Sequence, residues 1–194
     1  RFEGLLSILF NEPSGSVRAL FSFFGHFGVQ IFILLSAYGL TKKYLISEGK
    51  YFDFIKSRLM KLYPSFLLAI IAYVIYAGVI VRIYNGSGIT GTTTFLLENY
   101  QHILLKLTLM WNFIPNEGFA LVGPWWFMSM IFQFYLIFPF IFKAYKYYGN
   151  KALIIITSGS LLLMFISGGS IFNISIFFMV FAHLPVFCLG IYLS

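Results

Sequence analysis

Two cations three residues apart, Arg58 and Lys61, are the groups best placed for chemistry in this chain. On a helix that begins near Phe54 they share one face. They stand at the mouth of an apolar run, just before Pro64. A guanidinium fork beside an ammonium at a membrane surface suits a phosphate-bearing ligand. The same pair would also serve as an anchor to lipid headgroups. A second set is uncharged. Trp126, Ser129 and Gln133 stand at i, i+3 and i+7, on one helical face of a run that carries no charge from Trp125 to Phe142. Inside a membrane such a face lines a cavity or hydrogen-bonds to a neighbouring helix. His26 is the weakest candidate. Its imidazole titrates near neutrality and would suit a general base, but no neighbouring carboxylate orients it. His102 and His183 read as packed side chains. Isolated histidines and the single cysteine, Cys188, offer no metal-ligand spacing, so no metal is expected. There is no nucleophile elbow, P-loop, HExxH or dinucleotide glycine pattern. No acidic residue falls within an apolar run, which argues against proton-coupled transport.

These residues need membrane helices to position them. The chain has 194 residues, 60% hydrophobic and only 10% charged, with a mean hydropathy of +0.89. Soluble domains carry about 25% charged residues. The composition therefore reads as an all-α membrane protein, a polytopic helical bundle. Five spans are expected, at 19–41, 62–82, 123–143, 152–167 and 171–193. Residues 95–115 are expected to form an interfacial or re-entrant helix, their apolar run being broken by Lys106 and Asn112. Gly25, Gly28, Ser36 and Gly39 make a small-residue stripe that predicts close packing of the first span. Pro64 is expected in the opening turn of the second. Residues 1–18 and 83–94 read as interfacial segment and loop.

Net charge is +7, and nine of the thirteen basic residues lie in 42–61 and 143–151. Excess Lys and Arg in such a chain report topology and not nucleic acid, so both loops are predicted cytoplasmic. That parity holds only if 95–115 does not cross. The chain starts at Arg1 and stops in an apolar run, and is expected to be an internal piece of a longer protein.

Four segments then resemble a known family. FGVQIFILLSAYGL (27–40), FIKSRLMKLYPSF (54–66), WFMSMIFQFYLIFP (126–139) and LPVFCLGIYLS (184–194) are similar, in order, to motif helices of acyltransferase family 3, integral-membrane enzymes. The resemblance implies transfer of an acyl group, usually acetyl from acyl-CoA, to a hydroxyl of a cell-surface glycan or lipid-linked sugar, in the plasma membrane. It implies that 1–194 is one membrane domain, part of a larger acyltransferase-type domain whose catalytic His lies in an earlier helix. The fragment itself is then expected to be inactive. It further implies that Arg58 and Lys61 hold the acyl-CoA phosphates, with Ser36, Trp126, Ser129 and Gln133 bordering the substrate cavity. Lys61 stands where the family carries a second Arg, Ala37 where it carries Gly, and Ile131 or Phe132 where many members carry Glu. A lipid-linked glycan transporter or an inactive scaffold on the same helices remains the alternative.

Overall fold

The computed structural model describes residues 13–46, 49–86, 88–171 and 173–194, with the side chains of 13–24, 26, 82 and 89 outside the description. The elements in chain order are α1 (Pro13–Ile46), α2 (Tyr51–Tyr73), a π-helical stretch (Val74–Ile80), α3 (Val81–Tyr84), α4 (Gly88–Leu107), α5 (Trp126–Tyr148), α6 (Asn150–Ser167), a two-stranded hairpin of β1 (Ser170–Ile171) and β2 (Ile174–Ser175), and α7 (Val180–Tyr192). Four segments are long and apolar enough to cross a membrane: Phe27–Ile46, Tyr51–Ile80, Gly123–Tyr148 and Asn150–Ser167.

α5 is the central helix. Half of its span is buried inside the protein, against 17–22% for the other three. Met130, Ile131, Phe134, Phe138 and Phe142 make its inner face, against Ile33, Ala37 and Leu40 of α1 and Phe187 and Ile191 of α7. Phe134 stacks on Phe187 at 4.2 Å between centroids. α1 and α7 touch most closely at Gly190. A Cβ there would lie 2.4 Å from the Leu34 carbonyl oxygen and 2.7 Å from the Ala37 Cβ. The small residue that permits the approach therefore sits on α7. Gly25, Gly28 and Gly39, by contrast, have nothing within 4 Å of an added Cβ. The small-residue stripe of α1 faces away from its described neighbours, which corrects the packing expected of it.

Other boundaries differ for physical reasons. Most of 42–61 is helix and not loop. α1 runs on to Ile46 because Tyr44 packs edge-on against Phe54, Phe138 and Phe142. α2 starts at Tyr51, whose hydroxyl donates to the Leu136 carbonyl at 3.2 Å. Pro64 thus stands mid-helix, exposed, its missing N–H leaving the Met60 carbonyl without a helical donor. Residues 88–94, expected as loop, open α4. The hydroxyls of Thr92, Thr93 and Thr94 bond back to the Gly88 and Thr90 carbonyls, so the threonines are satisfied within the helix. Residues 13–18 are helical too, and 1–12 lie outside the described residues.

The last expected span, 171–193, is shorter than its apolar run. Gly168 and Gly169, both at positive φ, end α6 and turn the chain into the hairpin. α7 is then only 13 residues, about 20 Å long.

The element order puts the end of α1, the start of α2 and Gly149 at one end of the bundle, called here the basic end. The 108–125 loop and the hairpin lie at the opposite, far end. α4 returns beside α2 and stops where the Tyr63 hydroxyl meets the Leu107 carbonyl at 2.9 Å. Tyr63 is twelve residues along α2 from Tyr51, about 18 Å short of the basic end. α4, 20 residues long, is not among the four segments apolar enough to cross a membrane.

Candidate functional site

At the far end a polar cluster joins α1, α5, α7 and the 108–125 loop. Ser129 and Gln133 are buried, one helical turn apart on the inner face of α5. The Gln133 Oε1 accepts the Val180 backbone N–H at 3.1 Å, and its Nε2 faces the Ser129 Oγ at 3.4 Å. Val180 opens α7, so Gln133 satisfies one of the backbone donors that a helix start leaves unpaired. The Trp126 ring stacks on His183 at 5.9 Å, with 16° between planes. His183 Nε2 lies 3.1 Å from the Phe177 carbonyl, which can only accept. The ring proton therefore sits on Nε2, and Nδ1 accepts from the Gln30 amide at 3.1 Å. With both nitrogens engaged, His183 ties α1 to α7 and does not present a base.

Asn112, buried at the start of the loop, donates both amide hydrogens, to the Trp126 carbonyl at 2.9 Å and to the Phe178 carbonyl. It fastens the start of α5 to the turn before α7. Next to it, Lys106 is fully buried. Its Nζ donates to the Glu117 carbonyl at 2.6 Å, lies 3.6 Å from the Glu117 carboxylate and 4.9 Å above the Trp111 ring. The same carboxylate lies 2.7 Å from His102 Nδ1. Burial pulls the Lys106 ammonium below its usual range, and Glu117 partly offsets this.

At the basic end, Arg58 is half-buried, with its guanidinium 5.2 Å from the Phe54 ring and 5.9 Å from Tyr135. Its Nε is buried, with no hydrogen-bond partner among the described residues. Arg58 lines a pocket of about 180 Å³ with Lys43, Tyr44, Asp53 and Ser57. Lys61 is exposed and not part of that wall. The structure thus brings to Arg58 a second cation, Lys43, three positions before the end of α1, that local spacing did not single out. Ser36 is half-buried on α1, outside the far-end cluster, and the His26 side chain lies outside the described residues.

Asn112, Gln30 and His183 were not legible as a set, because their partners lie 14 to 153 residues away. One signal was present: Lys106 and Asn112 interrupt an apolar run, and a polar group there must find a partner.

No group of three or more His, Cys, Asp or Glu that could hold a metal occurs among the described residues. No curated protein and no solved structure matches the chain. The family model described as the acyltransferase domain does match, over residues 4–194, nearly the whole chain. It covers all four segments whose motifs suggested the resemblance, and those segments meet in one bundle around α5. The chain belongs to acyltransferase family 3, a family of membrane acyltransferases.

Proposed function

We propose that the protein is a multi-pass O-acyltransferase that moves an acyl group, acetyl in the first instance, from acyl-CoA to a hydroxyl of a cell-surface glycan or lipid-linked sugar. The family match over residues 4–194 carries this reading. The basic end faces the cytoplasm of a plasma-membrane enzyme, because the Lys and Arg of 42–61 and 143–151 collect there.

The donor's phosphates have fitting partners. Arg58 offers a buried N–H without a partner among the described residues, beside a pocket that also holds Lys43 and Ser57. That set of donors suits one phosphate group, and Asp53 in the same wall limits further negative charge. Lys61, exposed one turn further along α2, is the outer phosphate contact. When bound, acyl-CoA supplies a thioester carbonyl open to attack by a hydroxyl. Trp126, Ser129 and Gln133, with Ser36 on α1, border the path between the two ends, and the packed faces of α5 keep water from it. Both nitrogens of His183 are taken, so it is not the base; the family resemblance assigns that role to a histidine of an earlier helix.

Transfer of labelled acetyl from acetyl-CoA by the full-length protein in membranes tests the reading. Arg58→Ala and Lys43→Ala should each raise the donor KM about tenfold, the loss of one charge-assisted contact of about 1.4 kcal/mol. Lys61→Ala should raise it less. An unchanged donor KM in Arg58→Ala and Lys43→Ala would remove the phosphate assignment, and absence of transfer would remove the reaction.

A further inference from the structure

α5 is covered by its neighbours for most of its length and loses that cover at the basic end. From Ser129 to Pro139 every residue is buried or half-buried, whereas Phe140, Lys143, Lys146, Tyr147 and Tyr148 are exposed. Phe140, Lys143 and Tyr147 stand at i, i+3 and i+7, on the side of the helix opposite the core residues Phe138 and Phe142. Together with Ala144, Lys146 and Tyr148 they line an open groove of about 710 Å³, against about 180 Å³ for the pocket at Arg58. The two share no lining residue.

The depth of this groove in a membrane follows from the helix. α5 carries no charge before Lys143. From Trp126 to Lys143 the helix rises about 25 Å, close to the ~30 Å of a hydrocarbon core. With Trp126 at one interface, Lys143 and Lys146 reach the headgroups of the other, their stems lying along the apolar surface. Phe140 stays one turn inside, among the acyl chains. The Tyr147 and Tyr148 rings pack edge to face with centroids 4.5 Å apart, and tyrosine at that level belongs to the interfacial belt. The groove thus runs from an apolar floor to a cationic rim across the boundary between chains and headgroups.

We propose that this groove binds one anionic phospholipid, its phosphate between Lys143 and Lys146 and its glycerol and first methylenes along Phe140 and Ala144. Charge selects the headgroup. Two ammonium groups, with no acid among the lining residues, attract a lipid of net negative charge. The quaternary ammonium of a choline lipid would stand against them. A soluble phosphate would engage the lysines and leave Phe140 and the tyrosines without an apolar partner, so the occupant is a lipid. The site is independent of the acyl-transfer reading and of the Arg58 pocket.

Native mass spectrometry of the full-length protein in a neutral detergent, titrated with phosphatidylglycerol or phosphatidylcholine of the same chains, reads the groove without reference to catalysis. Wild type should bind its first phosphatidylglycerol about fivefold more tightly than its first phosphatidylcholine, a difference of about 1 kcal/mol. The double change Lys143→Gln and Lys146→Gln should remove that preference. Lys151→Gln, on α6 and outside the groove, should keep it. Both lysines of the groove are exposed, so the double variant should unfold within a few degrees of wild type without lipid. Phosphatidylglycerol should then raise the Tm of wild type and leave that of the double variant in place. Equal binding of the two lipids, or a preference undiminished in the double variant, overturns the proposal. A loss as large in Lys151→Gln also overturns it, since net charge and not the groove would then select the lipid. So does displacement of bound phosphatidylglycerol by millimolar glycerol phosphate, which would make the occupant a soluble phosphate.

Discussion

The two ends of the bundle are built on different principles. At the basic end the connections are short, 47–50 between α1 and α2 and Gly149 between α5 and α6, and the lysines are exposed. At the far end an 18-residue connection between α4 and α5 is drawn into the protein by Lys106, Asn112 and Trp111, all buried. Charge at the first end is carried mostly by exposed side chains. Polarity at the second is held by single geometric partners and is not.

The largest effect that would break this contrast is at Asn112. Asn112→Leu leaves the Trp126 and Phe178 carbonyls without their donor, and at 1–3 kcal/mol each the cost should be about 4 kcal/mol. Thermal unfolding in detergent measures it. A loss as small as that of a surface Lys43→Ala change would mean that the far end is not held by its buried polar groups.

Next is the helix contact that links the ends. Gly190→Ala drives a methyl group into the Leu34 carbonyl and should cost about 2 kcal/mol in the same unfolding assay. Gly39→Ala, where nothing lies within 4 Å, should be neutral. Equal effects at the two glycines would show that the α1–α7 approach is not as close as described.

A smaller effect sharpens the comparison through pH. Burial lowers the Lys106 pKa, so the folded state binds fewer protons than the unfolded one between the lowered value and 10.5. Stability contributed by this group should therefore rise as pH rises through that window and fall below it. The difference in unfolding free energy between wild type and Lys106→Met, followed from pH 7 to 10.5, isolates it from the other lysines. A flat difference would place Lys106 in water and not in the protein.

The basic end was largely legible in the sequence, since charge clustering acts through the membrane and needs no partner residue. The two basic stretches do fall at one end. What charge could not tell was that 42–61 is mostly helix, since the cations ride on turns whose inner faces carry Tyr44 and Phe54. The far end was legible only as interruptions. Ser129 and Gln133 stood out as a polar face on α5, yet the Gln133 partner is a backbone N–H 47 residues on. Gly190 had no signal at all, because a glycine in an apolar run declares its use only against the Leu34 carbonyl it meets.

Initial rates of acyl transfer over a grid of acetyl-CoA and acceptor concentrations test the division between the ends most directly. They compare wild type, Arg58→Ala and Trp126→Ala in the full-length protein. Arg58→Ala should raise the donor KM about tenfold with the acceptor KM within twofold of wild type. Trp126→Ala, at the far end, should raise the acceptor KM and leave the donor KM alone. If both variants move both constants together, or move neither, donor and acceptor do not bind at opposite ends of this bundle.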